Sequence, residues 1–234
     1  MDYQKEYIKN NTDLHGKDTL DKVRAIKAII EKGNIQPKSM LDIGCGSGAI
    51  LLSLLSYYQI TNSCGVDISE TMINTAKQND SNKLVKWIQS DLSNVNFRDY
   101  DLVLAVDIIE HIENESATLE KMKMWGKFFI IKTPIENNLI SKLVKSLTLG
   151  IVDSSRSTSK KYGHIHHYSE KNFIELVEKS GYIVLEKNYM HLPKRSKIFW
   201  ESVRILLMPM WLISEKAYIR LNGGFVVVLL KPKP

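Results

Sequence analysis

The residues best suited to chemistry cluster in two places. YGHIHHYSE (162–170) packs three of the chain's six histidines into four positions, and DIIEHI (107–112) carries another, His111. Imidazole titrates near neutrality, so such residues suit proton transfer or metal ligation. In an extended strand a His-x-His pair puts both rings on one face. His164 and His166 could then share a metal, with His167 turned to the other face. A complete site needs a third ligand, and neither Cys45 nor Cys64 stands at ligand spacing to them, so no metal is expected. Two readings stay open: rings that pack or cap locally, and a His164 or His166 that faces a reacting molecule.

The second cluster is LDIGCGSGA (41–49), where glycine lets a ligand approach the backbone closely. Gly44-x-Gly46-x-x-Ala49 fits the dinucleotide fingerprint, a weak signal alone. Asp42, two residues before the first glycine, argues against it. Its carboxylate would repel a pyrophosphate and welcome a cationic ligand. Three more acids follow at successive strand ends: Asp67, suited to a ribose diol, then Asp91, suited to an adenine amino group, then Asp107.

These residues need elements to hold them. Residues 1–20 are polar and read as a mobile arm, and 19–33 show helical spacing ending at Gly33. MLDIG, CGVDIS, LVKWIQSD, YDLVLAVD and KFFIIKTP read as five strands separated by helices, the pattern of a parallel α/β sheet. Beyond residue 135 come an amphipathic helix (137–150), a polar loop (152–163) and a helix capped by Ser169. Two strands close the chain, IVLEKNYM and GGFVVVLLKPKP. Between them lies an insert, 191–222, helical in pattern and broken near Pro209.

Bulk composition narrows the classes. A chain of 234 residues with 44% hydrophobic and 25% charged residues suits one soluble globular domain, here read as 1–234. Two cysteines exclude a disulfide framework and suit a reducing, cytoplasmic compartment. The N-terminal stretch lacks the apolar core of a signal peptide, and ILLMPMWLI (205–213) is too short to span a bilayer. The net charge of +6 admits nucleic acid, anionic lipid or an acidic substrate and selects none of them.

Taken together, LDIGCGSG, GVDIS, SDLSN and AVDIIEHIEN occur in the order and spacing of a known family. Over residues 36–135 the chain resembles the class I S-adenosylmethionine-dependent methyltransferases. Within that family DIIEHI and HIHHYSEKNF look most like the small-molecule branch that includes ubiquinone-biosynthesis O-methyltransferases. The resemblance implies a Rossmann-like, mostly parallel seven-stranded sheet with helices on both faces and an antiparallel last strand. It implies S-adenosylmethionine as cofactor and S-adenosylhomocysteine as product. Carried over by position, Gly44, Cys45, Gly46 and Gly48 shape the turn against the methionine end, and Asp42 orients it. Asp67 with Ile68 holds the ribose, Asp91 with Leu92 contacts adenine, and the backbone reaching Asp107 meets the methionine part.

Methyl transfer to a hydroxyl needs a base, and His111, just past the fourth strand, is the first candidate, with His164 and His166 next. The expected activity is methylation of a small-molecule hydroxyl on a hydrophobic or lipid-linked acceptor. The alternatives are a nucleic-acid methyltransferase and a non-catalytic cofactor-binding scaffold. No nucleic-acid partner is expected, since the fourth strand carries AVDIIEHI and not a base-methylation motif. The insert mixes Lys194, Arg195, Lys197 and Arg204 with Trp200, Leu206 and Trp211, a composition that suits a lid, a peripheral membrane contact or a homodimer contact.

Overall fold

The computed structural model describes residues 16–149, 162–191 and 198–234. Residues 152–161 of the expected polar loop, 1–15 of the expected arm, and 194, 195 and 197 lie outside them.

In chain order the elements are α1 (Gly16–Lys32), β1 (Ser39–Ile43), α2 (Ala49–Leu55), β2 (Asn62–Asp67), α3 (Glu70–Asn79) and β3 (Lys86–Gln89). Then follow β4 (Tyr100–Val106), α4 (Glu115–Met122), β5 (Gly126–Ile135), α5 (Leu139–Leu147), α6 (Glu170–Lys179) and β6 (Tyr182–Met190). The chain closes with α7 (Ile198–Ile213), α8 (Glu215–Asn222) and β7 (Gly224–Pro232). Short 3₁₀ turns at Leu92–Asn94 and Ile109–His111 follow β3 and β4.

The seven strands form one sheet in the order β3-β2-β1-β4-β5-β7-β6. Pairing is parallel from β3 through β5, and β7 runs antiparallel to both β5 and β6. The chain winds outward from β1 to β3, then returns to lay β4 on the other side of β1. That reversal opens a crevice beyond the carboxyl ends of β1 and β4, where open α/β sheets bind ligands.

Strand alternation splits the core between the two faces of the sheet. Leu41, Ile43, Val103, Phe129 and Ile131 pack toward α4, α6 and α8, through Leu119, Phe173, Val177 and Tyr218. Met40, Leu102, Leu104 and Ile130 pack toward α1 and α2, through Ile26, Ile29, Ile30, Leu51 and Leu54.

Two expectations need correcting. The arm does not extend to residue 20, because α1 begins at Gly16, with Asp18 in its first turn and an Asp18–Lys22 ion pair of 3.0 Å one turn on. The insert does not break at Pro209, which sits inside α7. The helix stops at Ser214, whose hydroxyl accepts from Ala217 N at 3.2 Å and starts α8.

Candidate active site

The glycine turn follows β1 directly. Gly44, Gly46 and Gly48 all hold positive φ, at 66°, 52° and 75°. They differ in what a side chain would meet. A Cβ on Gly48 would lie 2.5 Å from the ring of Trp87, so this glycine makes room for an indole. A Cβ on Gly46 would find nothing within 4 Å, because the residue faces open space. Gly46 thus borders free space, and its amide donates to Asp67 Oδ2 at 2.9 Å while Ser69 N donates to Oδ1 at 2.8 Å.

That open space is a cavity of ≈ 1050 Å³ at the crevice. Its wall contains Gly44, Cys45, Gly46, Asp67, Ile68, Asp91, Leu92, Asp107 and His111. Asp42 and Gly48, expected beside the ligand, are not on it. Asp42 is buried beneath the turn, where burial and then the neighbouring Asp67 push its carboxyl up to about 8. Burial thus disfavours its charged form, and it stands beneath the turn and not on the cavity wall. Asp67 is also raised, by burial, against the backbone N–H groups that favour its charge. Asp91 caps the 3₁₀ turn, accepting from Ser93 N at 2.7 Å, which holds it below the ordinary carboxylate range.

Asp107 is the wall residue with the strongest partners. It sits at φ 55°, and its carboxylate takes Lys132 of β5 on one oxygen and Lys22 of α1 on the other, the latter at 3.1 Å. Burial opposes its charge, but the two lysines outweigh that and hold it well below the usual range. Lys132 is itself buried, lowered by burial, and stacked 3.6 Å over the ring of Phe225. Asp107 therefore anchors α1 to the sheet, and its side chain is committed to that task.

The histidine segment is not a strand. Residues 163–167 are irregular, pinned by Ile165 N and His166 N donating to the Glu110 carbonyl at 3.0 and 3.2 Å. The shared face expected of His164 and His166 is accordingly lost. His164 Nδ1 meets Glu136 Oε1 at 3.0 Å, and His167 Nδ1 meets Oε2 of the same carboxylate at 2.5 Å. His166 turns away, with Nε2 at 2.9 Å from the Ile112 carbonyl and 3.0 Å from Glu115 Oε2. The ring that reaches His111 is that of His164, edge-on with centroids 5.0 Å apart.

Of the three candidate histidines only His111 is on the cavity wall, and its Nδ1 lies 3.2 Å from the Gly163 carbonyl. A carbonyl only accepts, so Nδ1 carries the proton and Nε2 is the basic nitrogen. Burial, then His164, push the His111 pKa down to about 4, which keeps the ring neutral at pH 7. His164 shifts upward: burial opposes this, but the Glu136 hydrogen bond and charge prevail.

Beneath them Glu110 is fully buried, with Oε2 accepting from Thr133 Oγ1 at 3.2 Å and Oε1 without a hydrogen-bond partner among the described residues. Burial, then Asp107, push its carboxyl up to about 8. Glu110, His111 and His164 bring one donor atom each within 4.8 Å of one another, a set of the kind that takes a divalent cation.

Sequence reasoning missed Lys22, Lys132 and Glu136 as parts of this site. Only Lys132 left a trace, as a lone charge inside the apolar run KFFIIKTP.

Comparison with known proteins bears on this geometry. Residues 41–127 match the family model described as a methyltransferase domain. Over 154 residues the chain is 29% identical to the ubiquinone biosynthesis O-methyltransferase of Rickettsia bellii, covering 61% of this chain and 60% of that one. Over 98 residues it is 26% identical to the malonyl-[acyl-carrier protein] O-methyltransferase of Halalkalibacterium halodurans, covering 39% of this chain and 36% of that one. The chain thus spans less than two thirds of the length of these curated relatives. Among solved structures, magnesium protoporphyrin IX methyltransferase from Synechocystis with bound S-adenosylhomocysteine superposes with a TM-score of 0.61 at 15% identity, over 100% of this chain and 88% of that one. The likeness of fold therefore runs the full length of the chain.

Proposed function

Residues 41–127 belong to the class I S-adenosylmethionine-dependent methyltransferases, S-adenosylmethionine is the cofactor, and on that premise we propose that the protein methylates a hydroxyl oxygen of a small, hydrophobic or lipid-linked acceptor. The residues fit the cofactor: an open cradle at Gly46, with Asp67 and Asp91 facing the same cavity. Gly46 and its neighbours would take the methionine end, Asp67 the ribose hydroxyls, and Asp91 with Leu92 the adenine. When bound, S-adenosylmethionine supplies a methyl group on a positively charged sulfur, open to in-line displacement.

The protein's own part is to orient the acceptor and remove its proton. Ile108, Ile112 and Ile165 stand on the wall with His111 and give an apolar surface for the acceptor. His111 takes the hydroxyl proton at Nε2 as the new oxygen–carbon bond forms, its ring held by the Gly163 carbonyl. The observation that carries this reading is a neutral imidazole of defined tautomer on the cavity wall.

The test is release of S-adenosylhomocysteine with matched hydroxyl and amine acceptors and with fractionated metabolite extracts. Turnover confined to hydroxyl acceptors and depressed by His111→Ala, with cofactor affinity kept, supports the proposal. Turnover of amines alone, or full activity without His111, sinks it.

A further inference from the structure

Two helices on the acceptor side expose apolar side chains where a water-soluble surface would be polar. On α7 the outward positions are Ser202, Ile205, Leu206, Pro209, Leu212 and Ile213, spaced as one face of a helix. Leu206, Leu212 and Ile213 are 78%, 87% and 86% exposed. The opposite side of α7 packs inward, with Leu207, Met208, Met210 and Trp211 against the core. This helix is therefore amphipathic in the inverted sense: its inner side is satisfied and its outer side is oily.

On α5, Leu139, Leu143 and Leu147 follow one another at intervals of four, and all three are exposed, Leu147 by 74%. Lys142 and Lys145 stand among them. Both helices pack against α8, which lies in the core through Tyr218 and Ile219. Exposed apolar rows of this extent are surfaces for a partner.

Charge selects the partner. No acidic residue occurs in 139–149, which carries Lys142 and Lys145; α7 carries Glu201 and Arg204, and Lys194, Arg195 and Lys197 precede it in the sequence. A second copy placed on this face by a two-fold axis would bring together two surfaces rich in basic residues and poor in carboxylates. A negatively charged lipid surface answers the lysines and takes the leucines into its headgroup–acyl boundary. No helix of the described residues is long and apolar enough to cross a bilayer.

We propose that the outer faces of α5 and α7 form a docking surface that lies in the interface of an anionic phospholipid membrane. α5 begins four residues after the end of β5 and three after Glu136, which holds His164 and His167. The inference stands apart from the choice of acceptor, because binding to lipid is read without turnover.

The experiment is co-sedimentation of the full chain with vesicles of phosphatidylcholine alone and of phosphatidylcholine with phosphatidylglycerol. Binding is expected to the mixed vesicles, weakening at raised ionic strength, and reduced about tenfold or more in Leu143→Glu/Leu147→Glu and in Leu206→Glu/Leu212→Glu. Lys142→Glu/Lys145→Glu should remove the preference for anionic lipid, by about tenfold. Circular dichroism and S-adenosylmethionine calorimetry on each variant confirm that the fold is kept. Absence of wild-type binding to either vesicle overturns the proposal, as does unchanged binding in both leucine variants. Sedimentation showing a dimer that only the leucine variants dissociate, without lipid binding, would reassign the face to self-association.

Discussion

Replacing Asp107 by asparagine tests whether the crevice is built around a buried ion cluster. Asparagine keeps the shape and tolerates a left-handed backbone, so at φ 55° the change removes charge with little added strain. What remains is two cations facing each other, with side-chain exposures of 1% for Lys132 and 6% for Lys22. Lys22 keeps Asp18, but Lys132 keeps only the ring of Phe225 and the more distant Glu110. Stranding a buried charge in this way costs about 3–5 kcal/mol, and a chain of this size loses about 2–4 °C of melting temperature per kcal/mol. A fall of roughly 6–20 °C is therefore expected, read by calorimetry at pH 7.

The pH dependence sharpens the test. The Asp107 carboxyl is depressed in the folded state, so its contribution is complete above the unfolded value of 3.8 and fades as pH falls from there toward the folded value. The gap between wild type and variant should hold from pH 5 to 8 and narrow only below about 4. Adding Lys132→Met, which removes the stranded cation, should recover much of the loss. A native-like Asp107→Asn that melts within about 2 °C of wild type would refute the cluster as a source of stability.

The glycine turn separates stability from binding. Gly48→Ala drives a methyl into Trp87 and should lower stability by about 2 kcal/mol or more in chemical denaturation. Gly46→Ala meets no protein atom, so its effect should fall chiefly on S-adenosylmethionine affinity, read by calorimetry. Asp67→Asn should weaken cofactor binding by about tenfold to a hundredfold, the worth of a charge-assisted hydrogen bond. His166→Gln should leave turnover within about threefold of wild type, since its ring points to Ile112 and Glu115 and not into the cavity, whereas His111→Gln should depress turnover about a hundredfold.

The cofactor half was legible because its signals are local. Each strand announces itself by a short apolar run, each turn by glycine or an acid at the strand end, and parallel order follows from the strand–helix alternation. Asp67 and Asp91 could be placed by chain position alone, and both lie on the cavity wall. Asp42 stands apart from the cavity wall for a reason that position cannot reveal. It occupies a strand end as the others do, but Ile43 and the glycine turn still lie between it and the crevice, and the fold closes over it.

The acceptor half depends on pairings that sequence distance conceals. Lys132 reads as an interruption of an apolar strand until Asp107, twenty-five residues earlier, is brought above it. Glu136 reads as a polar residue after a strand until it takes His164 and His167 together from 28 and 31 positions away. The histidine spacing misled because a period of two carries meaning only in a strand, and this segment owes its shape to the Glu110 carbonyl. Once that carbonyl holds Ile165 and His166, His164 and His167 both reach Glu136, His166 turns away, and Gly163 meets His111. The imidazole on the cavity wall and the two that share a carboxylate are thus parts of one arrangement, in which His164 and His167 secure the segment that orients His111.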